Sequence, residues 1–585
     1  MTLEKLLETN QVANEYYNNA DYMNVLKCYL EDNQLLMSSS VMGEKINQIK
    51  DEIVRQLLTL AKKTAESSIR SANISFGTSG WRGIIGKDFT NKNVAIATRA
   101  VIALLKSDLY QQETSLDFSM VQKKGILVGR DTRFLGEEFV NVIISELQSE
   151  HIKVFLAGVA TTPELSAAVP VLGAAGSINF TPSHNPFVYA GFKFNPNDGG
   201  PAENCLTDFI NKKSADLMAN YNDETFTPKK VDTSAIDHVD TIDLYEKFLY
   251  SHHSPIKDVD GILKTLAQRN DIKIAINVVG GAAASFKRLF DKYKVSTDIV
   301  EFIYDSPDIT FRGGMDTEPR SNIDIVQDTL KRSKKAIKIG FVFDPDGDRI
   351  RFYDGSINLE IEMNFFLGLV YYYEKQYLKM KPGFVAKSVA TSNFINALVT
   401  YYHEDKIVET PVGFKYFRGK EVSSYHPSEG LGFLVAGEES DGMSVFCHTF
   451  EKDGFSGVLM ALKMVMETNK TIGTLLMEAQ SLVGKFYPAR GGVAVKKQGK
   501  ELISKLSSLS GIKKGDSLKV GIENKSVSEV ITADGFKIVF TDGSWFLIRP
   551  SGTEPKVRFY IETRDESEKE AMFKLAEDKM NEALA

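Results

Sequence analysis

Short apolar runs that resemble β-strands alternate with helix-like stretches along most of this 585-residue chain. This alternation is typical of an α/β protein. Most of the runs are followed at once by a loop rich in Gly, Asp, Ser or Thr. Because ligands of open α/β sheets bind beyond the carboxyl ends of the strands, we expect functional residues in the loops after Phe180, Phe343 and Ala436. The predicted strands are Gly125–Gly129, Gly176–Phe180, Ile272–Val278, Ile339–Phe343, Phe384–Val389 and Gly432–Ala436.

The two ends of the chain differ from the rest. The length exceeds what one hydrophobic core supports, so we expect several domains. Residues 1–70 are polar, lack proline and carry apolar residues at helical spacing, which predicts a helical extension. After Gly484 the strand-like pieces become shorter, and an amphipathic helix follows from about Glu566. The dense apolar run Phe365–Tyr373 is too short to span a membrane and predicts a buried helix.

Composition excludes several classes of function. The net charge of −7 argues against nucleic acid as the main partner. The three cysteines, Cys28, Cys205 and Cys447, are far apart, which predicts neither a disulfide framework nor a zinc site. The first ten residues are acidic and contain no long apolar run, so a signal peptide and a membrane partner are not expected. We therefore expect a cytoplasmic protein.

The loop Thr181–Pro186 offers a hydroxyl, that of Ser183, directly after a predicted strand. Two prolines restrict its backbone, and His184 can hydrogen-bond oxygens beside the serine. A phosphoserine would carry about −1.5 to −2 charges, which Lys193 is near enough in sequence to offset in part. The alternative is a structural turn with a buried serine. A serine hydrolase is disfavoured because no Gly-x-Ser-x-Gly motif surrounds this residue.

A second loop, Asp344–Arg349, places carboxylates at alternate positions after a predicted strand. If it stays extended, Asp344, Asp346 and Asp348 project to one side. Three hard oxygen ligands suit Mg²⁺, and Arg349 adds a cation beside them. An EF-hand is excluded, because its glycine and glutamate positions are not matched. A haloacid-dehalogenase-like phosphatase, with an aspartate nucleophile, and a plain solvated turn are the remaining alternatives.

Three further loops carry weaker signals. In Gly437–Gly442, Glu438 and Ser440 can hydrogen-bond sugar hydroxyls, although acidic turns of this kind are common. The turn Arg549–Arg558 sets hydroxyls, a glycine and cations where they suit a phosphate monoester. The glycine-rich segment Phe76–Gly83 contains an arginine but is not a Walker A loop.

These five segments, in their order along the chain, resemble those of the α-D-phosphohexomutase superfamily, which includes phosphoglucomutase and phosphomannomutase. The resemblance runs from about residue 74 to the end of the chain. It implies an α/β fold of four domains around a central cleft, in which three related α/β domains precede a smaller C-terminal α+β domain. The expected blocks are 1–70 for the helical extension, 71–240 for domain 1 with the serine, 241–358 for domain 2 with the metal loop, 359–483 for domain 3 with the sugar-recognition loop, and 484–585 for domain 4 with the phosphate-binding loop.

The resemblance also implies roles for individual residues. Ser183 would carry the phosphoryl group and, together with Asp344, Asp346 and Asp348, would bind Mg²⁺. The residues that would support the transfer are Arg82, His184, Lys193, Arg349 and Lys452. The residues that would hold the sugar and its non-reacting phosphate are Gly413, Glu438, Ser440, Arg549, Ser551, Gly552, Thr553 and Arg558.

Two of these positions bear on the branch of the family. Lys452 resembles a lysine implicated in proton transfer in phosphoglucomutases, although alone it would be an ordinary solvated lysine. Gly413 lies in a loop that resembles a sugar-contacting one, but Val412 stands where some members have threonine, so a hydroxyl contact is lost. The sequence identifies neither the general base nor the oligomeric state.

The function implied is interconversion of hexose 1-phosphate and hexose 6-phosphate, with glucose preferred, through a hexose 1,6-bisphosphate intermediate. The small-molecule partners are then sugar phosphates, and mannose, glucosamine and pentose phosphates remain alternative substrates. Two functions of other classes are an aspartate-nucleophile sugar phosphatase and a non-catalytic sugar-phosphate binding protein. The presence of both the serine and all three aspartates argues against binding alone.

Overall fold

The computed structural model describes residues 2–36, 43, 45–67, 70–77, 80–221, 229–418, 430–495, 506, 509, 511–550 and 556–584. The chain forms two compact units. Unit 1 comprises Met1–Glu360, His426–Leu431 and Cys447–Asn469, and unit 2 comprises Ile361–Tyr425, Gly432–Phe446 and Lys470–Ala585. No helix among the described residues is both long and apolar enough to cross a lipid bilayer.

The chain begins with four helices that belong to unit 1. The side chains of Thr2, Asn10 and Asp21 cap the first three by accepting N–H groups of the first turn. The fourth buries Leu57 and Leu58 in a core shared with the sheet that follows, so the extension packs as part of unit 1. The helices are α1 Leu3–Thr9, α2 Gln11–Asn18, α3 Tyr22–Asp32 and α4 Glu52–Ser67.

A six-stranded sheet with the strand order β1-β5-β4-β2-β3-β6 forms the first α/β layer of unit 1. Strands β2, β3, β4 and β6 run parallel, whereas β5 is antiparallel to both β4 and β1. Its strands are β1 Trp81–Ile84, β2 Ile126–Arg130, β3 Val154–Val159, β4 Gly176–Phe180, β5 Tyr189–Pro196 and β6 Ile236–His238. Its helices are α5 Asn91–Leu105, α6 Asp108–Thr114, α7 Phe118–Lys124, α8 Gly136–Ser149, α9 Thr162–Leu172, α10 Asn204–Ala219 and α11 Thr241–Ser251.

The second sheet has the order β11-β10-β9-β7-β8, with β7, β8 and β9 parallel and β10 antiparallel to β9. Its strands are β7 Ile272–Asn277, β8 Val300–Ile303, β9 Ile337–Phe343, β10 Ile350–Asp354 and β11 Leu359–Ile361. Its helices are α12 Val259–Ala267, α13 Lys287–Lys292 and α14 Arg320–Lys331.

Unit 2 contains two sheets. A four-stranded sheet, ordered β13-β12-β14-β15, is covered by apolar helices, and a six-stranded antiparallel sheet, ordered β16-β21-β20-β19-β18-β17, packs against the last helix. The strands are β12 Phe384–Ser388, β13 Lys406–Thr410, β14 Val435–Glu438, β15 Gly442–Val445, β16 Tyr487–Ala494, β17 Ser517–Val520, β18 Glu523–Ile531, β19 Phe536–Phe540, β20 Trp545–Pro550 and β21 Lys556–Thr563. The helices of this part of the chain are α15 Met363–Gln376, α16 Phe394–Tyr402, α17 Gly454–Thr468, α18 Ile472–Val483 and α19 Lys569–Leu584.

These four sheets confirm the predicted α/β fold class. The strand predicted at Gly432–Ala436 instead begins at Val435 and continues to Glu438, because its residues pair with β15 as far as Gly442. The run Phe365–Tyr373 forms the buried helix α15, as predicted. Helix α17 belongs to unit 1, although its residues fall within the expected block 359–483, and the block boundaries stay a prediction.

Candidate active site

Ser183 lies in the loop that joins β4 to the antiparallel β5. Its backbone is in the left-handed region, with a φ of +57°, a conformation that costs a residue with a side chain about 1–3 kcal/mol. The hydroxyl of Thr181 accepts a hydrogen bond from the Ser183 N–H at 3.0 Å. Only 2% of the Ser183 surface is exposed, so the loop presents this hydroxyl to the protein interior.

Asp344, Asp346 and Asp348 follow β9 directly, and all three are fully buried. The loop does not stay extended, because the chain reverses here so that β10 can pair with β9. The Gly347 N–H donates to the Asp344 carbonyl at 3.1 Å, and Gly347 adopts a φ of +69°. The turn still gathers the carboxylates, since one oxygen of each lies within 4.8 Å of the others.

Buried hydrogen bonds join the serine loop to the acidic loop. Ser183 Oγ donates to Oδ2 of Asp344 at 2.8 Å. Thr162, the first residue of α9, donates its hydroxyl to Oδ2 of Asp346 at 2.6 Å and its N–H to the Asp346 carbonyl at 2.9 Å. The acidic loop of the second sheet is thus hydrogen-bonded both to the serine loop and to the start of α9, and the serine hydroxyl lies beside the carboxylates.

Two lysines balance the charge of the carboxylates. Lys193 Nζ lies 2.7 Å from Asp346 Oδ2 and 3.3 Å from Asp348 Oδ2, and Lys452 Nζ lies 3.1 Å from Asp348 Oδ2. Burial opposes the charge of Lys193, but Asp346 and Asp348 raise its pKa. Burial likewise opposes the charge of Lys452, whose pKa Asp348 and Glu451 raise. Both lysines are therefore ammonium groups.

The acidic group has the chemistry of a cation site. Burial, and then the charges of Asp346 and Asp348, raise the pKa of Asp344 well above its usual range. Oδ1 of Asp346 and Oδ1 of Asp348 are buried and accept no hydrogen bond from any residue that the structure describes. A divalent cation with a preference for hard oxygen ligands, such as Mg²⁺, would occupy these oxygens and relieve the repulsion. The donor set therefore fits a magnesium ion.

Two arginines lie at the edge of this group. Arg82 donates from Nη1 to Oδ1 of Asn185, in the serine loop, at 2.9 Å. The backbone N–H of Arg349 donates to Oδ1 of Asp344 at 3.1 Å. Burial, and then the positive charge of Arg349, lower the pKa of Arg82. The second cause reflects repulsion between two neighbouring guanidinium groups. Such a pair suits the oxygens of a phosphoryl group.

His184 lies beside the serine hydroxyl, with Nδ1 at 3.4 Å from Ser183 Oγ. Burial, and then the charges of Arg349 and Arg82, lower the pKa of His184 well below its usual range. The imidazole is therefore neutral and can donate or accept one hydrogen bond at each nitrogen, depending on its tautomer. The residues that the sequence predicts for phosphoryl transfer and for metal binding, His184 included, therefore lie close together in the structure.

Sequence reasoning missed Asp131 and Arg133, which follow β2. Arg133 is fully buried and donates hydrogen bonds to carbonyl oxygens of the serine loop. The sequence predicts a strand at Gly125–Gly129, and the structure places it as β2, parallel to β3 and β4. The same rule that pointed to the loops after Phe180 and Phe343 applies to this strand and would have found both residues.

In unit 2, a hydrogen bond joins the two loops for which the sequence predicts sugar recognition. The Gly413 N–H donates to Oε1 of Glu438 at 2.5 Å, and Gly413 has a φ of +137°, which a residue with a side chain rarely adopts. Glu438 ends β14, and Ser440 lies in the tight turn to β15. Glu439 instead accepts a hydrogen bond from the Ser388 hydroxyl at 2.8 Å. The two neighbouring glutamates thus have different partners: Glu438 accepts from the loop that contains Gly413, and Glu439 accepts from the end of β12.

Two of the predicted phosphate-binding residues are also in unit 2. Arg549 and Arg558 are paired across β20 and β21. Arg549 Nε donates to Oδ2 of Asp534 at 2.6 Å, and the same oxygen accepts the Val412 N–H at 3.0 Å. Asp534 therefore ties the arginine to the loop that contains Gly413. The other predicted residues of this turn, Ser551, Gly552 and Thr553, lie outside the described residues.

Three phosphoglucomutase/phosphomannomutase family models match the chain. The models of the α/β/α domain I, the α/β/α domain III and the C-terminal domain match residues 73–220, 363–482 and 494–578. Together they cover more than half of the chain. The chain belongs to the α-D-phosphohexomutase superfamily. The phosphohexomutase fold of four domains is thereby confirmed, as is the resemblance found in the sequence.

Relatives of this phosphohexomutase carry different substrate names. A phosphoglucosamine/phosphogalactosamine mutase of Sulfurisphaera tokodaii is 25% identical over an alignment of 507 residues, and the match covers 84% of this chain and 96% of the relative. A phosphoglucomutase of Komagataeibacter xylinus is 25% identical over an alignment of 527 residues that covers 85% of this chain and 89% of the relative. Phosphoglucomutase 1 of Drosophila melanogaster is 27% identical over an alignment of 489 residues that covers 75% of this chain and 83% of the relative. These relatives share the family and differ in the sugar that their names give.

Solved structures agree with the phosphohexomutase fold. A putative phosphomannomutase from Thermus thermophilus has a TM-score of 0.67 at 24% identity, over 88% of this chain and 100% of the other. Parafusin, a phosphoglucomutase from Paramecium in an open form, has a TM-score of 0.66 at 20% identity, over 88% and 97% of the two chains. At these identities the likeness concerns the fold.

Proposed function

We propose that this phosphohexomutase interconverts hexose 1-phosphate and hexose 6-phosphate, with glucose preferred, through a phosphorylated Ser183. The observation that carries the proposal is the hydrogen bond of 2.8 Å from Ser183 Oγ to Asp344. It brings a hydroxyl that can carry phosphate to the edge of a group of carboxylates that can hold a divalent cation. A phosphoserine and a metal site at this separation are what reversible phosphoryl transfer requires.

In the first half-reaction, the bond between Ser183 Oγ and phosphorus breaks while a free hydroxyl of the hexose monophosphate forms a bond to the same phosphorus. The hydroxyl gives up its proton to a base, and Ser183 Oγ leaves with the electron pair of the broken bond. The product is a hexose 1,6-bisphosphate. The bisphosphate turns over, and in the second half-reaction its other phosphoryl group returns to Ser183.

The residues of unit 1 support this exchange in distinct ways. Asp344, Asp346 and Asp348, together with an oxygen of the phosphorylated Ser183, would hold Mg²⁺, which when bound supplies positive charge to the phosphoryl oxygens. The chain itself supplies further positive charge through Arg82, Arg349, Lys193 and Lys452. Burial of the serine loop keeps bulk water from the phosphoryl group, which favours transfer to a sugar over hydrolysis.

Residues of unit 2 would bind the sugar and the phosphate that is not transferred. Glu438 and Ser440 offer acceptors and a hydroxyl to the sugar, and Arg549 and Arg558 offer guanidinium groups to the phosphate. Preference for glucose is supported by the sequence around Glu438 together with Lys452, and by relatives named phosphoglucomutase. Relatives named phosphoglucosamine mutase make glucosamine phosphate the chief alternative sugar.

The test is to supply 1-phosphates of glucose, mannose, glucosamine and ribose in parallel, with Mg²⁺ and a trace of glucose 1,6-bisphosphate. We expect glucose 6-phosphate to form fastest, little free phosphate, and phosphate on Ser183 by mass spectrometry. Ser183→Ala should abolish turnover, whereas Ser145→Ala, a buried serine of α8 that donates to the Val142 carbonyl at 2.8 Å, should not. Stoichiometric release of phosphate would instead indicate a phosphatase, and turnover by Ser183→Ala would refute the proposal.

A further inference from the structure

Arg133 makes an unusually complete set of contacts with the serine loop. Its side chain is fully buried. Nη2 donates to the carbonyl oxygens of Ser183 and Asn185 at 2.5 and 2.7 Å, and Nη1 donates to those of Pro186 and Tyr189 at 2.8 and 3.2 Å. Three carbonyls of the serine loop and that of Tyr189, the first residue of β5, therefore point at a single guanidinium group, which fixes the path of the backbone from the serine to the strand.

Asp131 completes this arrangement. Its Oδ2 accepts Nε of Arg133 at 3.1 Å and the hydroxyl of Thr181 at 2.6 Å, and its Oδ1 accepts the Arg133 N–H at 2.9 Å. All five N–H donors of the guanidinium are thus used. The hydroxyl of Thr181 in turn accepts the N–H of Ser183 at 3.0 Å. We call Asp131, Arg133 and Thr181 the Arg133 clamp.

The clamp is also attached to the second sheet of unit 1, which carries the acidic loop. The ring of Phe311 lies 4.9 Å from Cζ of Arg133 and covers the guanidinium. Thr132, between the two charged residues, donates its hydroxyl to the Gly280 carbonyl at 2.8 Å. Gly280 follows β7, the strand beside β9 in the second sheet. Contacts of the clamp therefore connect the backbone of Ser183 to the second sheet, whose strand β9 leads into Asp344.

We propose that the Arg133 clamp positions Ser183 for phosphoryl transfer by holding the serine in its left-handed conformation beside the acidic loop. This inference rests on the proposed function. Arg133 acts through the backbone, and its guanidinium is saturated by protein groups. It is a positioning residue, whereas Arg82 and Arg349 are the arginines that the proposed function assigns to the phosphoryl group. A lysine cannot replace it, because one ammonium group has three donors and lacks the planar fork that spans four carbonyls.

The test compares Arg133→Lys with Arg99→Lys. Arg99 is a suitable control because it also uses its guanidinium fork, pairing with Glu146 at 2.9 and 3.0 Å in the same layer of unit 1. For each variant we would measure kcat and KM with glucose 1-phosphate, the rate at which glucose 1,6-bisphosphate phosphorylates Ser183, and the thermal midpoint. A loss of stability alone would not slow the phosphorylation of folded protein, so this rate separates positioning from a structural role.

We expect Arg133→Lys to lower kcat and the phosphorylation rate about 100-fold while KM changes little, because a misplaced nucleophile costs rate rather than ground-state binding. Arg99→Lys should retain both rates within about threefold, since it is remote from the reacting group. A folded Arg133→Lys with near-normal phosphorylation would overturn the proposal.

If Arg133→Lys does not fold, Thr181→Val serves instead, since it removes the hydroxyl that links Asp131 to the Ser183 N–H. We expect it to slow phosphorylation about tenfold, because it removes the clamp's contact with the Ser183 N–H and leaves its contact with the Ser183 carbonyl. An unchanged rate would overturn the proposal. Absence of mutase activity in the unmodified protein would instead refute the proposed function itself, so the two failures are distinguishable.

Discussion

The hydroxyl of Ser183 donates a hydrogen bond to Asp344 across 2.8 Å, although 161 residues separate the two in the chain. A phosphoryl group on this oxygen would bring about −1.5 to −2 charges next to three buried carboxylates. Lys193 and Lys452 already pair with two of them. The added phosphate therefore needs a further cation, and this requirement leads to the first prediction.

Magnesium should stabilise the protein as well as support turnover. At a Mg²⁺ concentration 100 times the dissociation constant, the free energy of unfolding should rise by about 2.7 kcal/mol, because only the folded chain gathers the three carboxylates. Asp346→Asn should lose this stabilisation and the activity. Asp328→Asn, an exposed pair with Lys331 on α14, serves as the control. Urea unfolding after chelation with EDTA, with and without added Mg²⁺, measures the effect, and equal stabilisation of Asp346→Asn would contradict the assignment.

Replacing Lys452 should slow the chemical step. Its Nζ lies 3.1 Å from Asp348 Oδ2, so Lys452→Met removes a buried cation from the site and leaves Lys193, at 3.3 Å, as the remaining lysine beside this carboxylate. We expect kcat to fall by about 10²- to 10⁴-fold if the lysine also takes part in proton transfer. Lys463→Met, which removes an ion pair with Glu467 on the same helix α17, should leave kcat near normal. Steady-state kinetics measures kcat of both variants. A normal kcat in Lys452→Met would show that Lys452 takes no part in the chemical step.

Asp453 should be unusually important for stability. It caps α17 by accepting the N–H groups of Phe455 and Ser456, and it accepts the Tyr245 hydroxyl at 2.6 Å while His448 Nε2 lies 2.5 Å away. Asp453→Ala loses the cap and leaves two buried polar groups unpaired, at a cost of about 3 kcal/mol.

The control for that variant is Asp117→Ala, which removes the cap of α7 where its hydrogen bond to the Met120 N–H is exposed. Its cost should be about 1 kcal/mol. Urea unfolding compares the two. Equal losses would mean that the buried contacts of Asp453 contribute nothing. Because Asp453 follows Lys452 directly, its loss should also lower kcat.

A pH-dependent stability term should come from Glu409 in unit 2. Burial opposes its charge, but Lys387 and Lys537 lower its pKa from 4.5 to about 2. A carboxyl whose pKa is lower in the folded chain stabilises the fold fully above pH 4.5, and this stabilisation disappears as the pH falls towards 2. Glu409→Gln should therefore cost about 3 kcal/mol at pH 7.

The difference between Glu409→Gln and the unmodified protein should shrink below pH 4.5, and urea unfolding from pH 7 down to the lowest pH at which both remain folded measures it. Glu467→Gln, in an exposed pair with Lys463, controls for the general effect of removing a charge. A difference that stays constant with pH would contradict the lowered pKa.

Much of the candidate site could be predicted from local sequence. Ser183 and the three aspartates stand in loops that directly follow apolar strands, and such loops gather at the carboxyl edges of sheets. Strand β4 is predicted with the bounds that the structure shows, Gly176–Phe180. The path of the acidic loop could not be predicted, since a local rule about extended chains cannot anticipate that β10 returns beside β9.

The sequence by itself determined the types of element, the family and the chemistry of the reacting groups, because these depend on residue type and on spacing over a few positions. Only the tertiary structure decided which groups meet: Ser183 with Asp344, Lys452 with Asp348, and Arg133 with the carbonyls of the serine loop. The physical reason is that these contacts join residues distant in the chain. Sheet packing and buried hydrogen bonds set their separations, and no local pattern encodes them.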